Sequence, residues 1–157
     1  MCLLQLLLDI NSIRSKYEEE QKRICDLRIL SSNININNQN QLESLAKNII
    51  ICNNNNRNML EDIRTLANRL LDIIRNNQNY KEELEQEINS NIKCINNTLK
   101  SIRAIYNDYS QEYRTGEFIN IYRNNYNDLI SDIIELYYKN KNYLDTLSIL
   151  LIKLLII

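Results

Sequence analysis

The amino-acid sequence predicts an all-α protein: a long antiparallel helical bundle of about four helices with coiled-coil-like packing, the alternative being an extended coiled coil. The first observation behind this is an apolar stripe that never loses phase. From Leu42 it runs through Leu45, Ile49, Cys52, Asn56, Met59, Ile63, Leu66, Leu70, Ile73, Asn77, Tyr80 and Leu84 in alternating steps of three and four. That spacing holds one side of an α-helix against a partner over many turns. The second observation is the width of the stripe. Ala46, Asn53, Leu60, Ala67 and Ile74, mostly apolar, extend it by a further heptad position, as do Ile130, Tyr137, Leu144 and Leu151 nearer the C-terminus. A paired coiled coil buries only a narrow seam, so the extra width favours a bundle. The third is the scarcity of chain breakers: no Pro and one Gly, Gly116. Average usage would give roughly 8 and about 11. Val and Trp are also absent while Asn, Ile, Lys and Tyr abound, and A/T-biased coding would produce much of this profile, which halves the weight of the Pro and Gly counts. The heptad phase does not depend on composition and carries the argument.

The first helix is expected over residues 2–30, with a stripe at Leu3, Leu6, Ile10, Ile13, Tyr17, Ile24 and Leu27. Glu18, Glu19, Glu20, Lys22 and Arg23 read as its solvated face, with Glu18–Lys22 and Glu19–Arg23 as i,i+4 pairs. Residues 31–40 form the linker. They have no helical apolar face, and their Ser and Asn side chains compete for backbone hydrogen bonds. Asn40 reads as the next N-cap, with Glu43 completing a capping box.

The second helix is expected over 41–75 and the third over 80–114. Two Asn-rich patches interrupt this stretch, and both end in capping-box patterns, Asn58/Glu61 and Asn79/Glu82. A turn at Asn76–Asn79 leaves flanking segments of nearly equal length, as an antiparallel hairpin requires. A break at Asn53–Asn58 would leave a short orphan helix, so that patch is read as continuous. The third stripe runs Leu84, Ile88, Ile92, Ile95, Leu99, Ile102, Tyr106, Tyr109 and Tyr113. Thr115-Gly116 should end it, with the glycine free to take the left-handed cap conformation. The fourth helix is expected over 117–157, striped by Ile119, Tyr122, Tyr126, Leu129, Ile133, Leu136, Asn140, Tyr143, Leu147, Leu150, Leu154 and Ile157. The whole is read as one helical domain spanning residues 1–157.

Composition narrows the function. With no His, there is no His-based general base and no Cys/His zinc site. One glycine excludes a Gly-rich phosphate loop. Cys2, Cys25, Cys52 and Cys94 are widely spaced, which points to free thiols in a reducing compartment rather than to a disulfide framework. A net charge of −1 without a basic face argues against nucleic acid. No catalytic residue, metal or cofactor is therefore expected. Asp128, Asp132 and Glu135 read as a solvated acidic face, and the sequon Asn96-Asn97-Thr98 falls inside a helix.

Two features remain as candidate partner-binding residues. Tyr106, Tyr109 and Tyr113 lie before the Thr115-Gly116 turn and Tyr122 and Tyr126 after it, so reversal there gathers them at one end of the bundle. Ile149, Leu150, Leu151, Ile152, Leu154, Leu155, Ile156 and Ile157 cover nearly every side of the last helix, more than a bundle can shield. The sequence thus points to a non-enzymatic structural or interaction subunit that docks partner helices in a larger cytoplasmic assembly. The partner is a helical protein or a second copy of the chain. The alternative is a peripheral membrane protein held by its apolar C-terminal helix. Asp145 and Lys153 leave that segment short of the roughly 20 apolar residues a span needs.

Overall fold

The computed structural model describes the backbone of residues 2–115 and 118–156, and the side chains of all of these except 2, 103–115, 118, 119 and 121. Four helices follow one another: α1 (Cys2–Ser32), α2 (Gln39–Arg75), α3 (Glu82–Thr115) and α4 (Phe118–Leu155). They form an all-α bundle in which each helix runs antiparallel to the next. Asp9–Arg69 at 2.6 Å ties the start of α1 to the end of α2, and Lys153–Glu87 at 3.3 Å ties the end of α4 to the start of α3. Helices α2 and α4 run parallel and touch across the middle, while among the described residues α1 and α3 do not pack on each other. The cross-section is therefore a rhombus with α2 and α4 on its short diagonal.

This arrangement accounts for the wide stripe. With three neighbours, α2 must bury more than a seam, and Ala46, Leu60, Ala67, Leu71 and Ile74 are buried beside the heptad positions. Residues Asn53–Asn58 continue the helix. Asn56 lies in the core and its Nδ2 donates to the Cys52 carbonyl one turn back, at 2.8 Å, instead of starting a new helix. Asn76 caps the end of α2, and Asn77 Oδ1 accepts from the Asn79 amide at 2.7 Å, closing a turn where the stripe's Asn77 and Tyr80 leave the helix.

The α1–α2 connection is shorter than the expected 31–40, running over residues 33–38, and its cap differs too. Asn38, not Asn40, is the N-cap, its Oδ1 accepting from the Gln41 amide at 3.2 Å. The loop selects it: the Gln41 side chain accepts from the Asn35 amide at 2.9 Å, and Asn35 Oδ1 from the Asn37 amide at 3.0 Å. The expected Gly116 cap conformation lies outside the described residues.

Two apolar clusters fill the bundle. One gathers Leu6, Ile10 and Ile13 of α1 with Ile63, Leu66 and Leu70 of α2, Ile88 and Ile95 of α3, and Leu147, Leu150 and Leu151 of α4. The other holds Ile24 and Leu27 with Leu42, Leu45, Ile49 and Cys52, closed by Tyr122, Leu129, Ile133 and Tyr137. A polar layer lies at the same level of the bundle as their junction, and it overturns one expectation. Glu20 is not on the solvated face; it is 1% exposed. Asn56 Nδ2 donates to its Oε2 at 3.0 Å and Asn55 Nδ2 to its Oε1 at 3.3 Å. Asn140 of α4 joins by donating to the Asn56 carbonyl at 3.0 Å. Next to the layer, the Tyr17 and Tyr137 rings stack with centroids 4.2 Å apart and planes 7° from parallel. Glu18 and Glu19 are exposed as expected.

Candidate interaction surface

Helix α1 starts where α4 ends, and one ion pair fixes the seam between them. Arg14 Nη1 lies 2.9 Å from Asp145 Oδ1, and its Nη2 donates to Ser148 Oγ at 2.8 Å. Two helical turns further toward this end the seam turns apolar. Leu7 stands seven residues before Arg14 on α1, and Ile152 seven after Asp145 on α4, so heptad spacing keeps them on the same line. Leu4 and Leu8 stand in the same turns on the outer face of α1, as do Ile149, Leu155 and Ile156 at the end of α4, and all seven side chains are exposed. Both helices therefore expose apolar side chains at the same end of the bundle.

The structure divides the C-terminal candidates into two sets. Leu150, Leu151 and Leu154 point inward and are core residues, packed with Leu6 and Leu70. Ile149, Ile152, Leu155 and Ile156 face outward, between 54% and 80% exposed. Ile157 lies outside the described residues. The α1 contribution, Leu4, Leu7 and Leu8, was missed by sequence reasoning. Its signal was available: these leucines fall off the α1 stripe yet are apolar, so no core position accounts for them.

Ion pairs close the polar groups around this surface. Arg14–Asp145, Asp9–Arg69 and Lys153–Glu87 each match opposite charges at the end where the surface lies. Arg69 and Gln5 hold the Asp9 carboxyl below its ordinary range by hydrogen bonds. The surface therefore offers apolar area with a neutralised rim.

The tyrosine candidates behave differently. Tyr122 is fully buried in the second cluster, and Tyr126 is half-buried against it. Both serve the core on the α4 side. The side chains of Tyr106, Tyr109 and Tyr113 lie outside the described residues.

Elsewhere the chemistry is sparse. A depression between α1 and α2, lined by Asp9, Ser12, Ile13, Asp62, Thr65 and Leu66, is open to solvent, and its carboxylates meet Arg69 and Lys16. Among the described residues no three Cys, Asp or Glu side chains gather as a metal site would require. Asp128, Asp132 and Glu135 are exposed. Partial burial and the charges of Glu135 and Asp128 raise the Asp132 carboxyl. Burial and the Glu20 charge push the Cys52 thiol up to about 12, so it is a small apolar core group rather than a nucleophile. Among the described residues no helix is long and apolar enough to cross a membrane. Compared with protein-family models, curated proteins and solved structures, the chain finds no match.

Proposed function

We propose that this protein is a non-enzymatic interaction subunit that docks a helix of a partner protein in a larger cytoplasmic assembly. One observation carries the reading: Leu4, Leu7 and Leu8 of α1 and Ile149, Ile152, Leu155 and Ile156 of α4 stand exposed at one end of the bundle. Large exposed apolar patches serve binding, because leaving them in water forgoes roughly 25 cal/mol for each Å² that a partner could cover. The seam between two antiparallel helices is a groove of the shape that receives the apolar face of a third helix. The internally neutralised rim favours an apolar helix over a strongly charged ligand. A net charge of −1 gives little attraction to anionic headgroups, which disfavours the membrane alternative.

The test uses a photoreactive phenylalanine analogue at Leu7 or Ile152, with Glu135 as control site, in the native source. A discrete protein adduct from the first two positions and none from Glu135 supports the reading, provided that Ile152→Lys also removes the complex while leaving the circular dichroism spectrum unchanged. An adduct only with itself assigns the surface to self-association. Flotation of the purified chain with liposomes, abolished by Ile152→Lys, transfers it to a membrane. No adduct and no flotation refutes a docking role for this end.

A further inference from the structure

Glu20 occupies a core position of α1. The stripe steps from Tyr17 to Ile24, and the residue that fills the gap on the same face is a carboxylate. It is 1% exposed, and all but one of the groups it meets are neutral. From α2 it faces the amides of Asn55 and Asn56 and the Cys52 thiol; from α4 it faces the Tyr137 phenol. The cation beside it is Arg23, of α1 itself, at 3.4 Å and with a side chain 55% exposed. A contact of that length from a solvated side chain compensates a buried charge poorly.

The hydrogen-bond inventory of the layer points the same way. Asn56 Nδ2 gives its two hydrogens to Glu20 Oε2 and the Cys52 carbonyl, which fixes the orientation of that amide. Asn140 Nδ2 donates to the Asn56 carbonyl. The amide oxygens Asn56 Oδ1 and Asn140 Oδ1 are buried and accept nothing from the protein. The layer is rich in acceptors and short of donors. A proton on Glu20 removes a buried charge and adds one donor.

Helix α1 is where this matters. Among the described residues it packs on α2 and α4 but not on α3, and a loop, residues 33–38, joins it to the rest. Its ion pairs to those neighbours, Asp9–Arg69, Arg14–Asp145 and Lys16–Asp62, are partly solvated and hold it weakly. We propose that α1 is a pH-sensitive clasp: a proton on Glu20 tightens its docking against α2 and α4, and loss of that proton loosens it. Burial raises the Glu20 carboxyl, opposed by Asn55 and Arg23. A carboxyl raised by folding favours the docked state below its unfolded pKa, and that contribution is lost as pH rises through the folded value. Because Leu4, Leu7 and Leu8 ride on α1, the same equilibrium governs whether the apolar end surface is assembled.

Cys52 reports the clasp. It is buried in the cluster that α1 closes, whereas Cys94 on α3 is exposed and serves as internal standard. The full-length protein is labelled with a pyridyl disulfide under native conditions between pH 5 and pH 8, and labelling at each cysteine is read by mass spectrometry. The Cys52/Cys94 rate ratio should rise several-fold with pH in the wild type and in Glu19→Gln, and stay flat in Glu20→Gln. A flat wild-type ratio, or a rise that persists in Glu20→Gln, overturns the proposal. Hydrogen exchange on the wild type needs no variant. Corrected for intrinsic rates, protection of residues 17–27 should fall relative to residues 84–99 as pH rises, and parallel behaviour of the two segments also overturns it.

Discussion

Ile149 and Leu150 are neighbours of similar size in the same helix, and the structure assigns them opposite roles. Leu150 is 1% exposed and packs in the first core cluster, while Ile149 is 54% exposed. Replacing Leu150 with alanine removes three buried methyl or methylene groups, about 2.4 kcal/mol at ~0.8 kcal/mol each. A cavity adds to this, because α4 is braced by three neighbouring helices and cannot collapse freely, so a loss of about 3–4 kcal/mol is expected. At roughly 2–4 °C per kcal/mol for a chain of this size, the melting temperature should fall by about 10 °C. Ile149→Ala removes a half-solvated side chain and gains helix propensity, so its effect should stay within about 0.5 kcal/mol. Urea denaturation followed at 222 nm measures both. Equal losses, or a negligible loss at Leu150, would mean that α4 does not present the faces described and would remove the basis for the interaction surface. Deleting residues 148–157 is a poorer test, because it takes Leu150, Leu151 and Leu154 out of the core together.

Leu70→Asp should unfold the chain, since an unpaired carboxylate in that fully buried site costs several kcal/mol, whereas Glu19→Ala should leave the urea midpoint unchanged; equal tolerance at the two sites would contradict the packing of α2. A zero-length carboxyl–amine crosslinker should join Lys153 to Glu87 within one chain, placing the end of α4 beside the start of α3; its failure while an i,i+4 pair such as Lys139–Glu135 still crosslinks would argue against the antiparallel arrangement. In the folded protein at pH 8, Cys25 and Cys94 should react with a thiol reagent well before Cys52, whose thiol is buried and raised to about 12, and denaturant should equalise them. A double-mutant cycle on Tyr17 and Tyr137 with leucine should return a coupling of about 0.5–1.5 kcal/mol from the stacked pair; zero coupling would show that the rings do not touch in solution.

The sequence by itself determined the four helices and the place of the first two connections, though not which asparagine caps α2. Phase alone kept α2 continuous through Asn53–Asn58, and equal segment lengths located the reversal at Asn76–Asn79, because heptad spacing and turn chemistry are local properties. The extra heptad position foretold that α2 has more than one neighbour. What it left open concerned direction and distant contact. Apart from Lys153, residues Ile149–Ile157 are apolar, so no periodicity separated Ile149 from Leu150; the neighbouring helices decided which side was covered. Leu4, Leu7 and Leu8 became part of a surface only because α4 ends beside them. Tyr17 and Tyr137 stack across the α1–α4 interface, a pairing that no local spacing encodes. Glu20 is the instructive case. The gap between Tyr17 and Ile24 marked its position as core, but its charge argued for solvent. The tertiary structure resolved that conflict by bringing Asn55 and Asn56 from another helix to meet it, since a buried carboxyl group is tolerated only where hydrogen-bond partners replace water.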